Sequence, residues 1–214
     1  MLSQQDIHDA FMELATKARA EGKVIDIAVY GGSALMLASN FRTATQDVDA
    51  VAETDQSVVN RYAAEIAATR GWPDDWLNDG VRTYLSPNVD GLGQHHALFR
   101  SYPDDATSGL RVFVPTPAYL LAMKLMAMRI DTTTGQKDLP DLLNLIEVIG
   151  ITQKSDLMKF AKSFYPEARV SAQVVLGVEA LWRERDARSK ITSSDPQVPH
   201  EPPRYLDRSG PAPK

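Results

Sequence analysis

Residues 24–30, VIDIAVY, hold one charge among β-branched and apolar side chains, and the run stops at Gly31-Gly32. A stretch of this kind fits a strand buried on both faces, which needs cover on both sides. The residues that follow, SALMLAS at 33–39, include good helix formers, and DVDAVAE at 47–53 is strand-like again. A buried strand, a glycine turn, a helix and a second strand in that order define an α/β unit.

The rest of the chain sorts around this unit. Ile7, Phe11, Leu14 and Ala18 recur at helical spacing, which predicts a helix over 3–21 with Ser3 as its N-cap. Val59, Tyr62, Ala63, Ile66 and Ala67 mark one face of a helix over 56–70. GWPDDWLNDGVRTYLSPNVDG, from residue 71, is rich in turn residues and reads as irregular. HALFRSY and LRVFVPT read as strands, and Pro115 and Pro117 end the second and open a helix at about Thr116. Helices are then predicted over 117–130, 138–149, 153–163 and 168–186. The expected organisation is an α/β core over 1–115, a helical region over 116–188, and a tail over 189–214. The tail contains six prolines and is expected to be disordered or an extended arm.

A net charge of -5 argues against binding nucleic acid over the whole surface, while leaving room for a local basic groove. The chain has no cysteine, so any metal must be held by Asp, Glu, His or backbone oxygen, which favours a hard ion such as Mg²⁺. The first residues, MLSQQDIHDAFMELATKARAEGK, are amphipathic and carry acids early, unlike a signal peptide. No run is long and apolar enough to span a membrane, and a cytoplasmic location is the expectation.

Asp47 and Asp49 are the chemically demanding pair. In a strand they point the same way, roughly 7 Å apart. Two such carboxylates repel unless a cation lies between them. Two readings stand. The strand face is wet, with Val48 and Val51 buried; or the acids share one or two Mg²⁺ ions. The turn upstream favours the second. Gly31 and Gly32 let the backbone approach a ligand, a helix start offers N–H groups to an anion such as a triphosphate, and Ser33 adds a hydroxyl. A phosphate cradle beside a carboxylate pair suits phosphoryl-type transfer.

GGSALML followed by RTATQDVDAV resembles the signature of the nucleotidyltransferase superfamily with a polymerase-β-like core, most closely its minimal bacterial members. These include abortive-infection-type toxins and a related, poorly characterised nucleotidyltransferase-like family. TPAYLLAMKLMAMR followed by KDLPDLLNLIEVIG is similar to the helical part of those proteins, and GWPDDWLND to a segment after the core helix. The resemblance covers roughly residues 24–150. It implies that Gly32 and Ser33, with Gly31, bind phosphate, and that Asp47 and Asp49 bind Mg²⁺. It further implies that Lys124 is the helix lysine, with Asp138 and Asp141 the downstream acids. Arg42 is a candidate triphosphate or substrate contact, or a surface charge on a loop.

The residues themselves leave alternatives at the later positions. Lys124 is the sole charge between Thr116 and Met128. It either snorkels to the surface or meets a phosphate or an acid such as Asp141. Asp138 suits a helix start, and Asp141 one turn later fits a structural duty as well. Active superfamily members usually carry a third carboxylate on a later strand, yet LRVFVPT has no acid. Asp79, Asp90, Asp104 and Asp105 are the loop acids that remain. Neighbours in a strand face opposite ways, so His95 and His96 do not readily chelate one ion, and one at most is functional. Trp72 and Trp76 fit core packing better than base stacking.

The expectation is therefore an α/β nucleotidyltransferase-like mixed sheet with flanking helices, followed by a C-terminal helical bundle. Its reaction would be Mg²⁺-dependent transfer of a nucleoside monophosphate from an NTP to a hydroxyl of RNA (a tRNA among the candidates), a protein or a small molecule. Kinship suggests a toxin with an antitoxin protein as partner. The alternative is a non-catalytic module of the same fold that lacks the third carboxylate.

Overall fold

The computed structural model describes residues 1–104, 106–128, 138–194 and 202–206. The chain forms two compact units. The first gathers Met1–Thr83, Gly91–Thr116 and the segment from Tyr205; the second gathers Tyr84–Asp90 and Pro117–Arg204.

The first unit opens with β1 (Leu2–Ser3) and α1 (Gln4–Ala20). Ser3 caps α1 as its sequence predicts: the Asp6 N–H donates to Ser3 Oγ at 3.2 Å, and the Ser3 N–H donates back to the Asp6 carboxylate at 2.8 Å. Next come β2 (Ile25–Val29), α2 (Gly31–Ala38), β3 (Ala44–Thr45), β4 (Val48–Ala52) and α3 (Gln56–Arg70). Asp55 caps α3, and Gly71 ends it in the left-handed region at φ 65°. Then follow β5 (Leu77–Asn78), a 3-10 turn over Gly80–Tyr84, β6 (His96–Tyr102) and β7 (Leu110–Pro115).

Five strands form one mixed sheet in the order β5-β4-β2-β7-β6. β2 lies at its centre, antiparallel to β4 and parallel to β7. Ile25, Ile27, Ala28 and Val29 are all buried, as the uninterrupted apolar run requires. Complete burial of a large aliphatic side chain stabilises by about 1.5–3 kcal/mol, so this strand anchors the sheet. α1 and α3 pack on each other and on the sheet, α1 against β6 and β7, α3 against β4 and β5. Gly109 is needed for that approach, because a Cβ there would fall 2.2 Å from the Ala15 carbonyl oxygen of α1. Trp76 is buried and its Nε1–H donates to Ala63 of α3, which places it in the core as its sequence context suggests.

β4 differs from the expected strand in two respects. It begins at Val48, so Asp47 stands just before it. Val48 and Val51 are buried, as the first reading has them, and Asp47 is exposed. Asp49, however, is half-buried and shares its strand face with the buried Val51, so acids and valines do not divide cleanly between two faces. The segment at Tyr205 also packs. Tyr205 forms a bridge with Ser39, its hydroxyl donates to the Pro115 carbonyl at 2.7 Å, and the Leu206 N–H donates to Ala38 at 2.7 Å. Of the expected tail, 202–206 is the part described after α7.

The second unit contains α4 (Pro117–Ala127), α5 (Leu139–Ile149), α6 (Lys154–Phe164) and α7 (Ala172–Ser194). α4 packs against the other three helices. Tyr119, Leu120, Leu121, Leu125, Leu142, Leu145, Leu157 and Val178 form its core. α7 starts later than expected, after a 3-10 turn at Glu167–Arg169, and continues past the expected boundary at 188. The molecule is an α/β protein with a five-stranded mixed sheet and a C-terminal helical region. Among the described residues no helix is long and apolar enough to cross a membrane.

Candidate functional site

The end of β2 runs straight into the start of α2, and Tyr30 is the joint. The Tyr30 N–H donates to the Asp49 carbonyl at 2.8 Å, which extends the β2–β4 pairing by one residue. The Tyr30 carbonyl accepts from the Ala34 N–H at 3.0 Å, the first bond of α2. Gly31 follows at φ +62°, a conformation that other residues adopt only at a cost. A Cβ at Gly31 would fall 2.3 Å from Asp49 Oδ2. The Asp49 carboxylate thus rests against the backbone at the helix start, where the positive end of the helix dipole favours an anion.

The loop between α2 and β4 closes over the second glycine. A Cβ at Gly32 would lie 3.1 Å from Arg42 Nη1 and 3.3 Å from Thr45 Oγ1. Thr45 is buried, pairs with Leu2 of β1, and donates its hydroxyl to the Asp47 carbonyl at 3.1 Å. That bond fixes the backbone just ahead of β4. Asp47 is exposed and Asp49 half-buried. Gly31, Gly32, Arg42 and Asp49 are therefore brought to one place, with Asp47 beside it in the chain. Ser33 is at the same helix start, but it is buried and its hydroxyl donates to the Tyr30 carbonyl at 2.8 Å. Its oxygen helps to build the turn, and its proton faces the protein.

The third carboxylate has four sequence candidates. Asp79 comes nearest by register: it follows Asn78, which stands opposite Asp49 in the β4–β5 pairing. Its carboxylate accepts from Arg82 Nε at 3.2 Å. Asp90 and Asp104 are exposed, and Asp105 lies outside the described residues. Among the described residues no three His, Asp or Glu side chains form a group that could hold a metal ion. Among the described residues the carboxylate at the helix start is Asp49, with Asp47 two residues before it in the chain. This fits Mg²⁺ in the mode where one or two carboxylates hold the ion and substrate phosphates and waters complete its shell.

Lys124, Asp138 and Asp141 meet within the second unit. Lys124 Nζ lies 2.8 Å from Asp138 Oδ1 and 3.0 Å from Asp141 Oδ2. The Asp141 side chain is only 4% exposed and that of Lys124 10%, so this is a buried ion pair with Asp138 at its rim. Of the two fates open to Lys124, meeting an acid is the one observed. Lys137, the other end of the expected downstream motif, lies outside the described residues.

One pair escaped the sequence reading. Tyr30 Oη and His96 Nε2 are 2.8 Å apart, with the rings edge to face at 83°. His96 opens β6, opposite Pro115 at the end of β7. Burial holds its imidazole down at about 4, and the neighbouring His95 pushes in the same direction. Strand alternation indicated that the two histidines part company; nothing in the local spacing pointed to Tyr30, 66 positions earlier.

No protein-family model matches the chain, and neither a curated protein nor a solved structure matches it. The functional reading rests on the residues described above.

Proposed function

We propose that the chain is a metal-dependent nucleotidyltransferase that moves a nucleoside monophosphate from an NTP to an acceptor hydroxyl and releases pyrophosphate. The observation that carries this reading is the Gly31 backbone pressed against the Asp49 carboxylate at the start of α2, with Arg42 over Gly32. A helix start and a guanidinium suit a triphosphate, and an adjacent acid suits the cation that accompanies it. In this proposal Asp47 and Asp49 hold Mg²⁺, which when bound offsets charge on the transferring phosphoryl group. The backbone of Gly31, Gly32 and Ser33 orients the phosphates, and Arg42 binds their oxygens. The family resemblance gives Lys124 and Asp141 a part in the reaction as well. A hydroxyl of RNA, protein or a small molecule accepts the nucleotide, and a toxin with an antitoxin partner is the biological setting that kinship suggests.

A second reading has its own support. No third acid joins Asp47 and Asp49 among the described residues, and Lys124 is already matched by Asp138 and Asp141. A non-catalytic nucleotidyltransferase-like module would look the same. The deciding experiment incubates the full chain with each labelled NTP, Mg²⁺, and total RNA or protein, and follows label transfer and pyrophosphate release. The enzyme reading expects both, and their loss in Asp47→Asn/Asp49→Asn with an unchanged or higher Tm. Nucleotide binding without release of pyrophosphate would favour the module.

A further inference from the structure

We infer that Tyr30 and His96 are the positioning pair that sets the Gly31-Gly32 turn in its phosphate-receiving shape. The inference deepens the nucleotidyltransferase reading and rests on it for the ligand, while the positioning itself is a property of the free protein.

Tyr30 is bound from three directions. Its N–H is held by Asp49 on β4, and its carbonyl accepts both the Ala34 N–H and the Ser33 hydroxyl of α2. Its phenol is held by His96 on β6, two strands away across β7. The residue is 3% exposed, so ring and backbone are both enclosed by the protein. As the N-cap of α2 it supplies no side-chain bond to the helix, a task that Ser, Thr, Asp or Asn would perform there. Its side chain instead runs sideways along the sheet end to the imidazole. The cap is thus fixed from the sheet rather than by its own side chain on the helix. Gly31, held at φ +62° against Asp49, is the next residue in line. His96 acts through Tyr30, whose phenol it meets.

The test uses amide hydrogen exchange on the full chain with Tyr30→Phe, His96→Ala and His96→Gln. Tyr30→Phe keeps the ring and removes the bond; Gln at 96 restores a polar partner. Loss of one such bond should speed exchange at Ala34, whose N–H donates to the Tyr30 carbonyl, about fivefold to tenfold in Tyr30→Phe and His96→Ala. Exchange in β2 and β7 should stay at the wild-type rate, and His96→Gln should recover most of the protection. Unchanged exchange in the first turn of α2, or a rise spread equally over the whole sheet, would overturn the inference. Calorimetry with Mg²⁺ and ATP on the same proteins separates the two levels. The expectation there is about tenfold weaker binding in Tyr30→Phe. If the wild type binds no NTP, the nucleotide reading fails, and the exchange pattern alone decides the positioning role.

Discussion

Gly31 and Gly71 share nearly the same left-handed backbone, at φ 62° and 65°, yet they differ in what surrounds them. Nothing lies within 4 Å of a Cβ at Gly71, whereas one at Gly31 would meet Asp49 Oδ2 at 2.3 Å. Gly71→Ala should therefore cost only the backbone strain, about 1–2 kcal/mol. Gly31→Ala should cost measurably more in urea denaturation, and should also displace the Asp49 carboxylate. Equal losses at the two positions would mean that the contact with Asp49 is not constraining. Gly32→Ala should be milder than Gly31→Ala, because its first obstacle is the far end of the Arg42 side chain, 3.1 Å away. The glycine pair and the spaced acids were legible at this scale, since both violate the apolar pattern around them. Arg42 was open between a substrate contact and a surface charge, and the pairing of Tyr30 with His96 was not legible. An ordinary strand aromatic and a strand histidine carry no periodic signal, and only the three-dimensional pairing brings them together.

At the scale of elements, the Lys124–Asp141 pair ties α4 to α5. Removing one member of a buried pair leaves the other charge stranded. Lys124→Met should lower stability by about 3–5 kcal/mol, read by chemical denaturation. Asp138→Ala, at the exposed rim, should cost under about 1 kcal/mol. The double change Lys124→Met/Asp141→Leu should recover most of the loss. Wild-type stability in Lys124→Met would contradict the tie and would favour the phosphate-directed role for that lysine. Element boundaries follow the same logic of signal strength. α1, α3 and β6 are found where their caps and alternation place them. β1, β3 and β5 have two residues each, too few for any period, and exist because a partner strand is there to pair with them. α7 begins late because the 3-10 turn at Glu167–Arg169 takes up its expected first residues.

The molecule as a whole contains two histidines that folding disfavours in their charged form. Burial lowers both His8 and His96, the latter to about 4 from an ordinary 6.5. Between those values the unfolded chain binds more protons than the folded one. Stability is then complete above about pH 6.5 and falls as the pH drops toward 4, by at most about 3 kcal/mol from His96. The Tm should decline between pH 7 and 4.5, and His96→Gln should flatten the decline. A Tm that is level across this window would contradict the burial of these rings. The α/β order, with helices gathered at the back, was readable from the succession of periods along the chain. The division into units was less so, because Tyr84–Asp90 joins the helical unit and Tyr205 rejoins the sheet unit. Those returns depend on contacts such as the Ser86 N–H donating to the Tyr119 hydroxyl at 3.0 Å, far apart in sequence. The central claim is that the start of α2, with Asp49 against it, receives a triphosphate together with Mg²⁺. Titration calorimetry of the wild type and Asp49→Asn with each NTP, with and without Mg²⁺, tests it most directly. The expected result is binding that requires Mg²⁺ and is lost in Asp49→Asn; absence of binding by every NTP, or binding indifferent to both the metal and the substitution, would rule the site out.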